Sequence, residues 1–368
     1  MIYYNTYACY PIWEDIIQST SGTALAGLDS ATVEVYLGED TLLFSGVVVK
    51  RPGDNYLRTR LNDIVAPFVR PFLTLDPSQA SGWIEGNVMP LFKISWNDGA
   101  LVRRFYVFGD CSWDRARAYE MAQEDPYCQA SVLSAPIDGK IVRGQRVFFT
   151  SLLAARLLAF KYAPSGPGRY MRQLFETVNR SEVETEAPNG GPATFFMSTA
   201  DFPSSATGKY DFQLRDDDET DAYIFGSVEG VELIDSCARY VLYYVNAFGG
   251  WDWFVIQGRV NEKDKITRTE YTRRPQTVDP MSRGREVIQA EIQKSLEMHT
   301  HWLTDDEASR MHHLTESPAV FVHDLAQGLI LPAVLTGSTH EYKTYKGQGG
   351  RLVSYSLELD MAVTTQRQ

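Results

Sequence analysis

Alternation of apolar and polar residues with a period of two recurs along the chain and predicts β-strands. The pattern is clear at Thr32–Leu37. Leu42–Val49 is an apolar run, and the Gly-Glu-Asp break between the two segments predicts a hairpin. A second predicted hairpin joins Leu91–Trp96 to Leu101–Phe108 through Asn-Asp-Gly, because glycine supplies the positive φ that tight hairpin turns require. The first third of the chain is therefore predicted to be β-structure.

The strongest apolar pattern lies in the last third of the chain. Arg239–Asn246 and Trp251–Gly258 are apolar or aromatic on both faces and are joined by a segment with two consecutive glycines. Such strands are buried on both sides, either within a sandwich or against another subunit. Sugar stacking on the aromatic rings is the weaker alternative. The candidate interface residues are Tyr240, Tyr243, Tyr244, Phe248, Trp251 and Trp253.

Other predicted elements are short. Further strands are expected at Tyr56–Leu61, Gln145–Thr150, Arg172–Val178, Thr194–Ser198, Val320–Val322, Leu329–Leu335 and Arg351–Val363, with 172–178 and 194–198 expected to pair. Thr304 and Glu307 form a capping box that opens a helix to about His313. Short helices are also expected over 64–72 and 113–123, and loops over 163–168, 187–192 and 216–221.

Strands dominate, helices are few, and no long repeat is visible. The predicted fold class is mainly β, with two or three β-sandwich-like domains and a few short helices. The expected division is an N-terminal β-sandwich domain over 1–130, a middle β-rich domain over 131–235, and a C-terminal sandwich-like domain with one short helix over 236–368.

Charge and cysteine usage limit the classes of partner. The formal net charge is −12, which repels nucleic-acid backbone and anionic lipid, so no nucleic-acid binding is expected. Arg268, Arg273 and Arg274 alternate with Thr, Glu and Tyr, a pattern typical of the solvated face of a strand. The 4 cysteines are scattered, and neither a signal peptide nor an apolar run long enough for membrane insertion is visible. We expect synthesis and folding in a reducing cytoplasm.

Motifs that define a reaction are not found in the sequence. It contains no P-loop, nucleophile elbow or metalloprotease helix, and its Gly-rich segment at 347–350 precedes a predicted strand rather than a helix. All 6 histidines lie after residue 298, and a strand face shared by His299 and His301 could in principle bind a metal. Imidazoles hydrogen-bonded at an interface are the favoured interpretation. Asp216–Asp221 fails the EF-hand pattern, and we expect neither enzyme activity nor a cofactor.

Several separated phrases together resemble tail or baseplate structural proteins, of the distal-tail type, from phages and prophages of Bacteroides-type gut bacteria. They include the residues 44–53, the stretch Arg239–Asp252, the stretch His299–Asp305 with Arg310–Leu314, and the closing Ser354–Leu359. The resemblance spans about residue 30 to the end. It implies a virion structural role, and no catalytic residue is carried over from it.

The resemblance leads to one functional expectation and two rivals. It implies a protein of the tail tip or baseplate, located in the virion tail and assembled in the host cytoplasm. Copies of the chain would form a ring that connects the tail tube to receptor-binding components, with other phage tail proteins as partners. The first rival is a carbohydrate- or receptor-binding module that contacts host-surface glycan. The second is a tail-associated depolymerase, for which no local residue signature exists.

Overall fold

The fold of the protein is given by a computed structural model. The residues described are 8–11, 16–19, 29–38, 41–52, 56–59, 62–68, 79–84, 91–96, 100–107, 134, 136–151, 156–179, 193–215, 224–234, 238–272, 285–343 and 352–367. The chain divides into two compact units, of which the first comprises 1–235 and 245–253 and the second 236–244 and 254–368. No helix among the described residues is long and apolar enough to span a membrane.

Within the described residues, the first unit contains fifteen strands and one short helix. The strands are β1 (Ala8–Pro11), β2 (Ile16–Ser19), β3 (Ser30–Leu37), β4 (Thr41–Val49), β5 (Tyr56–Thr59), β6 (Ser81–Ile84), β7 (Leu91–Trp96), β8 (Ala100–Val107), β9 (Lys140–Ile141), β10 (Arg146–Ser151), β11 (Arg156–Gly166), β12 (Arg169–Asn179), β13 (Ala193–Ser198), β14 (Lys209–Arg215) and β15 (Ile224–Leu233). The helix is α1 (Asn62–Val65), shorter than the predicted 64–72.

Four sheets organise these strands. A five-stranded sheet has the order β1-β8-β7-β3-β4, a three-stranded sheet β10-β13-β6, a second five-stranded sheet β12-β11-β14-β15-β9, and β2 pairs with β5. Both hairpins predicted in the first third are confirmed, as β3–β4 and β7–β8. Alternate residues of β3 and β7, among them Val33, Val35 and Ile94, are buried together with Val65 of α1, so the period of two selects the core face.

The second unit contains a seven-stranded sheet. Its strands are β16 (Tyr240–Val245), β17 (Trp251–Ile256), β18 (Val260–Thr272), β19 (Arg285–His299), β20 (Val320–Asp324), β21 (Leu329–Lys343) and β22 (Leu352–Arg367), in the order β17-β16-β20-β21-β22-β19-β18. The segment 245–253, which runs from the last residue of β16 to the third residue of β17, belongs to the first unit.

The capping box is confirmed, but the helix that it opens is interrupted. The Glu307 amide donates to Thr304 Oγ1 over 3.3 Å, and the Thr304 amide donates to Glu307 Oε2 over 2.7 Å. Helix α2 (Asp305–Arg310) is followed, after Met311, by α3 (His312–Thr315). Met311 and Leu314 are fully buried, so side-chain packing in the core stabilises the chain where the first helix ends.

Mainly-β architecture with sandwich-like sheets is thus confirmed, whereas two local predictions are wrong. Residues 163–168 are not a loop throughout, because β11 continues to Gly166 before a turn. Residues 172–178 and 194–198 are strands but do not pair with each other, since β12 pairs with β11 and β13 pairs with β10 and β6. The predicted three-domain division stays a prediction, and its first boundary, at residue 130, lies outside the described residues.

Candidate interaction sites

The hairpin of β16 and β17, here called the aromatic hairpin, carries the six candidate interface residues, and five of them lie in the interior. Tyr243, Tyr244, Trp251 and Trp253 have no exposed surface, and Tyr240 is nearly buried, whereas Phe248 is half-buried. The burial predicted for both faces of this hairpin is therefore provided within the chain itself. A contact of the hairpin with another subunit stays a prediction, and Phe248 is the candidate that retains accessible surface.

Polar groups hold the turn of this hairpin. Asn246 Nδ2 donates to the carboxylate of Asp252 over 2.6 Å, and both residues are buried. The Asn246 Oδ1 atom accepts from the backbone N–H groups of Phe248 at 2.9 Å and Gly250 at 3.0 Å. Gly249 has a φ of 86°, which explains why glycine stands at this point of the turn. The arrangement satisfies buried polar groups and leaves none of them directed at a ligand.

Within the first unit, the turn segment is anchored by three contacts. The Trp251 amide donates to Thr150 Oγ1 over 3.0 Å, and Trp253 Nε1 donates to the carbonyl of Lys140 over 2.8 Å. The Trp253 ring meets the Phe149 ring edge-on at 5.6 Å. These side chains act as structural anchors rather than as a surface for sugar stacking, because their faces are covered.

An ion-pair network lies in the second unit. Arg239 donates twice to Asp324, from Nε over 3.2 Å and from Nη2 over 2.8 Å, and its Nη1 donates to Glu262 over 2.7 Å. The Tyr240 hydroxyl donates to the same Glu262 oxygen over 2.6 Å. A cavity of about 320 Å³ beside the network is lined in part by these groups. Each charge here has a partner, which is typical of a structural bidentate pair.

The network shifts the protonation of its members. Burial by itself raises the pKa of Asp324, but the hydrogen bonds from Arg239 and from the backbone N–H groups of Ala326 and Gln327 outweigh it, so the net pKa is lowered. The hydrogen bond with Asp324 raises the pKa of Arg239. Burial first, and then the bond to Glu262, raise the pKa of Tyr240. All three shifts keep the network in its bonded form near neutral pH.

Acidification is expected to remove the contribution of Asp324 to stability. Because the folded pKa is below that of the unfolded chain, the contribution is complete above about pH 4 and is lost as the pH falls through the folded value. Urea unfolding of the Asp324→Asn variant should therefore show a smaller loss of stability between about pH 5 and pH 3 than the unsubstituted chain. Asp264→Asn, on the exposed strand β18, is the control. Equal pH slopes for Asp324→Asn and the unsubstituted chain would contradict the assignment.

The histidines lie on separate elements except His312 and His313, whose rings stack with 4.3 Å between their centres. His299 ends β19, and His301 follows it outside any strand, so the predicted shared strand face is wrong. The others lie in α3, β20 and β21, at His312, His313, His323 and His340. The His323 ring is nearly buried and shares a 2.9 Å hydrogen bond with the Tyr243 hydroxyl. Among the described residues, no three His, Cys, Asp or Glu side chains are grouped as metal ligands would be. The acidic stretch 216–221 lies outside those residues.

Asp211 forms a second buried network, in the first unit. Its carboxylate is almost fully buried and accepts from the Tyr162 hydroxyl at 2.6 Å, the Gly230 amide at 2.8 Å and Arg172 Nε at 3.1 Å. The bond to Asp211 is the main reason why the pKa of Tyr162 is raised. Arg172 also lies over the Phe160 ring, 4.6 Å from its centre. This network could not be predicted from the sequence, since its members lie on different strands and form no local motif.

A groove of about 500 Å³ opens beside β12 in the same unit. Phe175 and Phe202 meet edge-on at 5.2 Å in its wall, and Phe202 is buried. The side chains of Lys161, Gln173 and Asp201 line the groove, and none of the three has a hydrogen bond or ion pair within the described part of the chain. The groove therefore combines an apolar wall with polar groups that a ligand could engage.

Long strands lie at the edges of three sheets. They are β4, β12 and β18, and each pairs on one side only within the described residues. Their exposed apolar residues include Leu42, Val47 and Val49 on β4, Tyr170, Met171 and Leu174 on β12, and Ile266 and Tyr271 on β18. Unpaired strand edges with apolar side chains are the features here that best fit contact with other polypeptides.

Comparison with known proteins finds similarity among solved structures only. No family model and no curated protein matches the chain. Among solved structures, the chain is similar in part to a chain from the tail of an empty GTA particle with C6 symmetry. That match covers 35% of this chain and 96% of the other, at 16% identity and a TM-score of 0.21. A similarity of this extent carries no argument about function.

Proposed function

We propose that the chain is a structural protein of a phage tail tip or baseplate and not an enzyme. Copies would assemble as a ring that connects the tail tube to receptor-binding components within the virion. The proposal is supported by the sequence resemblance to tail structural proteins and, above all, by three long sheet edges that carry exposed apolar side chains. A ring forms when a head-to-tail contact closes on rotation, and sheet edges supply directional contacts of this kind.

The disposition of polar groups agrees with a structural role. Asp211, Asn246, Asp252 and Asp324 are buried or nearly buried, and each is bonded to partners within its own unit. A catalytic site would instead direct a nucleophile and a base toward a common open point. In the networks described above, the polar side chains satisfy one another's hydrogen-bonding groups and stabilise the strands that carry them.

Light scattering of the purified full chain, followed by negative-stain imaging of the same fraction, tests the ring. We expect one assembly with a mass that is an integral multiple of the chain mass, and images of closed rings. A chain that stays monomeric at every concentration and does not join rings when mixed with purified tails would contradict the proposal. Release of reducing ends from a host polysaccharide would contradict the non-enzymatic part.

The groove beside β12 favours a second candidate function, a carbohydrate- or receptor-binding module. Lys161, Gln173 and Asp201 offer a cation, an amide and a carboxylate, which are groups that bind hydroxyl-rich or charged glycans. A glycan array probed with the full chain and with a Gln173→Ala variant tests this function. Binding that the substitution abolishes would favour it, whereas silence of the correctly folded chain on the array would rule it out for the glycans displayed.

A further inference from the structure

The groove beside β12 contains three ionisable side chains that form no ion pair within the described part of the chain. Two of them, Lys161 and Asp201, have no hydrogen bond there either. The third, Glu176, accepts one long hydrogen bond, from Ser81 Oγ over 3.4 Å. Two carboxylates and one amine are therefore available to a ligand in a groove whose lining residues all belong to the first unit.

A β-bulge at Phe175 in β12 brings two polar side chains onto the face of the groove. Gln173 lies opposite Lys161 on β11. The register then shifts by one residue, and Glu176 lies opposite Ala159. In a regular strand, residues three positions apart point to opposite faces, whereas the bulge aligns Gln173 and Glu176 with Lys161. Bulges that redirect side chains in this way are common next to active sites.

The turn that carries Asp201 is held in place by hydrogen bonds to its backbone and side chains. Thr199 is fully buried, and its hydroxyl donates to a backbone carbonyl over 2.6 Å. After Asp201, the carbonyl of Pro203 accepts from the Tyr210 hydroxyl at 2.8 Å. Arg143 donates to two further carbonyl oxygens of the same turn, at 3.2 and 3.4 Å. The carboxylate of Asp201 is thus presented from a fixed backbone, which lowers the entropy cost of binding.

The apolar wall of the groove suits a sugar ring. Phe175 meets the Phe202 ring at 5.2 Å and the Tyr210 ring at 5.9 Å, both edge-on, so the three rings pack together. Met197 and Pro203 also line the groove. A concave site with an apolar surface and a few convergent polar groups is typical of small-molecule recognition, and a volume of about 500 Å³ lies within the range of such sites.

The balance of charge in the groove favours a cationic group on the ligand. The carboxylates of Glu176 and Asp201 outnumber the amine of Lys161, and the whole chain has a formal net charge of −12. Arg143 is directed at the backbone of the turn and is not among the lining residues. A hydrogen bond between charged groups is about twice as strong as one between neutral groups, so a ligand amine gains more here than a ligand hydroxyl.

We propose that this groove binds a glycan that contains a hexosamine with a free amino group. The protonated amine would donate to the carboxylates of Glu176 and Asp201. Lys161 and the side-chain amide of Gln173 would donate to hydroxyl or ring oxygens of the glycan. The proposed specificity rests on the second function proposed above, a carbohydrate-binding module, and names its ligand class. It is independent of the assembly of a ring.

A pair of oligosaccharides that differ only in acetylation tests the role of the amine. The full chain is titrated in a calorimeter with a glucosamine tetrasaccharide and with its fully N-acetylated counterpart. At about pH 5.5, carboxyl groups of model peptides are ionised, and the sugar amines are protonated. We expect about tenfold or more tighter binding of the free-amine ligand. The preference should decrease as the salt concentration rises, because salt screens the charges.

Substitutions that remove one charge without changing the shape of the side chain test the site. Asp201→Asn and Glu176→Gln should each weaken binding of the glucosamine ligand about tenfold and affect the acetylated ligand much less. Glu232→Gln is the matched control, since Glu232 is an exposed carboxylate on β15 that does not line the groove. All three variants change the net charge equally, so the control measures general attraction between a cationic ligand and an acidic chain. Thermal melts show whether each variant folds.

The outcomes separate the ligand class from the function on which it rests. Equal affinity for the two oligosaccharides would overturn the amine specificity, and a common loss in Gln173→Ala would leave glycan binding in place. Binding of neither, together with a different ligand on the glycan array, would have the same meaning. If the folded chain binds no glycan in either experiment, both proposals are wrong.

Two further outcomes would assign the groove to another ligand. A tetralysine peptide that binds as tightly as the glucosamine ligand, with the same dependence on Asp201, would show recognition of a basic peptide instead of a sugar. Binding of a glucuronate oligosaccharide that Lys161→Met abolishes would show the opposite charge preference. Equal weakening by Asp201→Asn and Glu232→Gln would show that the amine is attracted by the overall charge and not by the groove.

Discussion

Replacing Trp253 with alanine is expected to lower the free energy of unfolding by about 3–5 kcal/mol. The side chain is fully buried, meets Phe149 edge-on at 5.6 Å and donates from Nε1 to the carbonyl of Lys140 over 2.8 Å. Phe149 in turn stacks on Phe212 at 4.5 Å. Removal of the Trp253 ring would therefore leave a cavity inside an aromatic cluster. The substitution would also leave the carbonyl group of Lys140 without this donor.

Urea unfolding followed by far-ultraviolet circular dichroism measures this effect without relying on tryptophan emission. The free energy of unfolding of Trp253→Phe should lie between those of Trp253→Ala and the unsubstituted chain. The phenylalanine retains a ring beside Phe149 but loses the bond to Lys140, at a cost of about 1–3 kcal/mol. Trp302→Ala is the control, since Trp302 is 42% exposed and its removal should matter much less. Equal losses at Trp253 and Trp302 would show that the aromatic cluster is not a main source of stability.

Gly258→Ala should destabilise the second unit by about 3 kcal/mol or more. A Cβ atom at this position would lie 2.0 Å from the carbonyl oxygen of His299 and 3.0 Å from that of Thr300. Both obstacles are backbone atoms, so a rotamer change cannot relieve the clash. The link between β17 and β18 would have to move away from β19, where the amide of His299 donates to the carbonyl of Arg259 over 2.8 Å.

Gly337→Ala is the matched control for Gly258→Ala. At Gly337, on β21, the nearest atom to an added Cβ is a side-chain oxygen of Glu358 at 3.4 Å, which is an ordinary contact. We expect a change of less than about 1 kcal/mol there. Differential scanning calorimetry of both variants gives the comparison. Similar melting temperatures for the two would contradict the steric role of Gly258.

Local patterns predicted several elements correctly because the determining contacts are local. The β3–β4 and β7–β8 hairpins follow from alternation interrupted by turn residues. In β22 the residues Val353, Leu357, Leu359 and Met361 are buried, as their alternation predicts. The capping box needs only Thr304 and Glu307, which lie one helical turn apart. Neither the turns nor the cap depends on distant parts of the chain.

Pairing between distant strands could not be predicted from such patterns. Strand β13 pairs with β6, so Thr194–Met197 lie opposite residues more than one hundred positions earlier in the chain. Apolar strands of similar pattern are interchangeable partners in the sequence, which is why pairing β12 with β13 was a reasonable but wrong prediction. Strand β11 was not predicted, and its end was predicted to be a loop because Pro164 and Gly166 are typical of loops. Of strand β18 only the solvated face around Arg268 was predicted, because the charged residues from Glu262 to Lys265 give the first half of the strand no apolar pattern.

For the candidate sites, too, some features follow from the sequence and others depend on the packing of distant strands. Burial of the hairpin around Trp251 and Trp253 follows from the sequence, since strands apolar on both faces are excluded from water. That the hairpin is covered within the chain, and that β4 is an edge strand among the described residues, depends on contacts between distant strands. The reason is physical: composition fixes how much surface must be buried, whereas the packing of distant strands decides which surface remains for a partner.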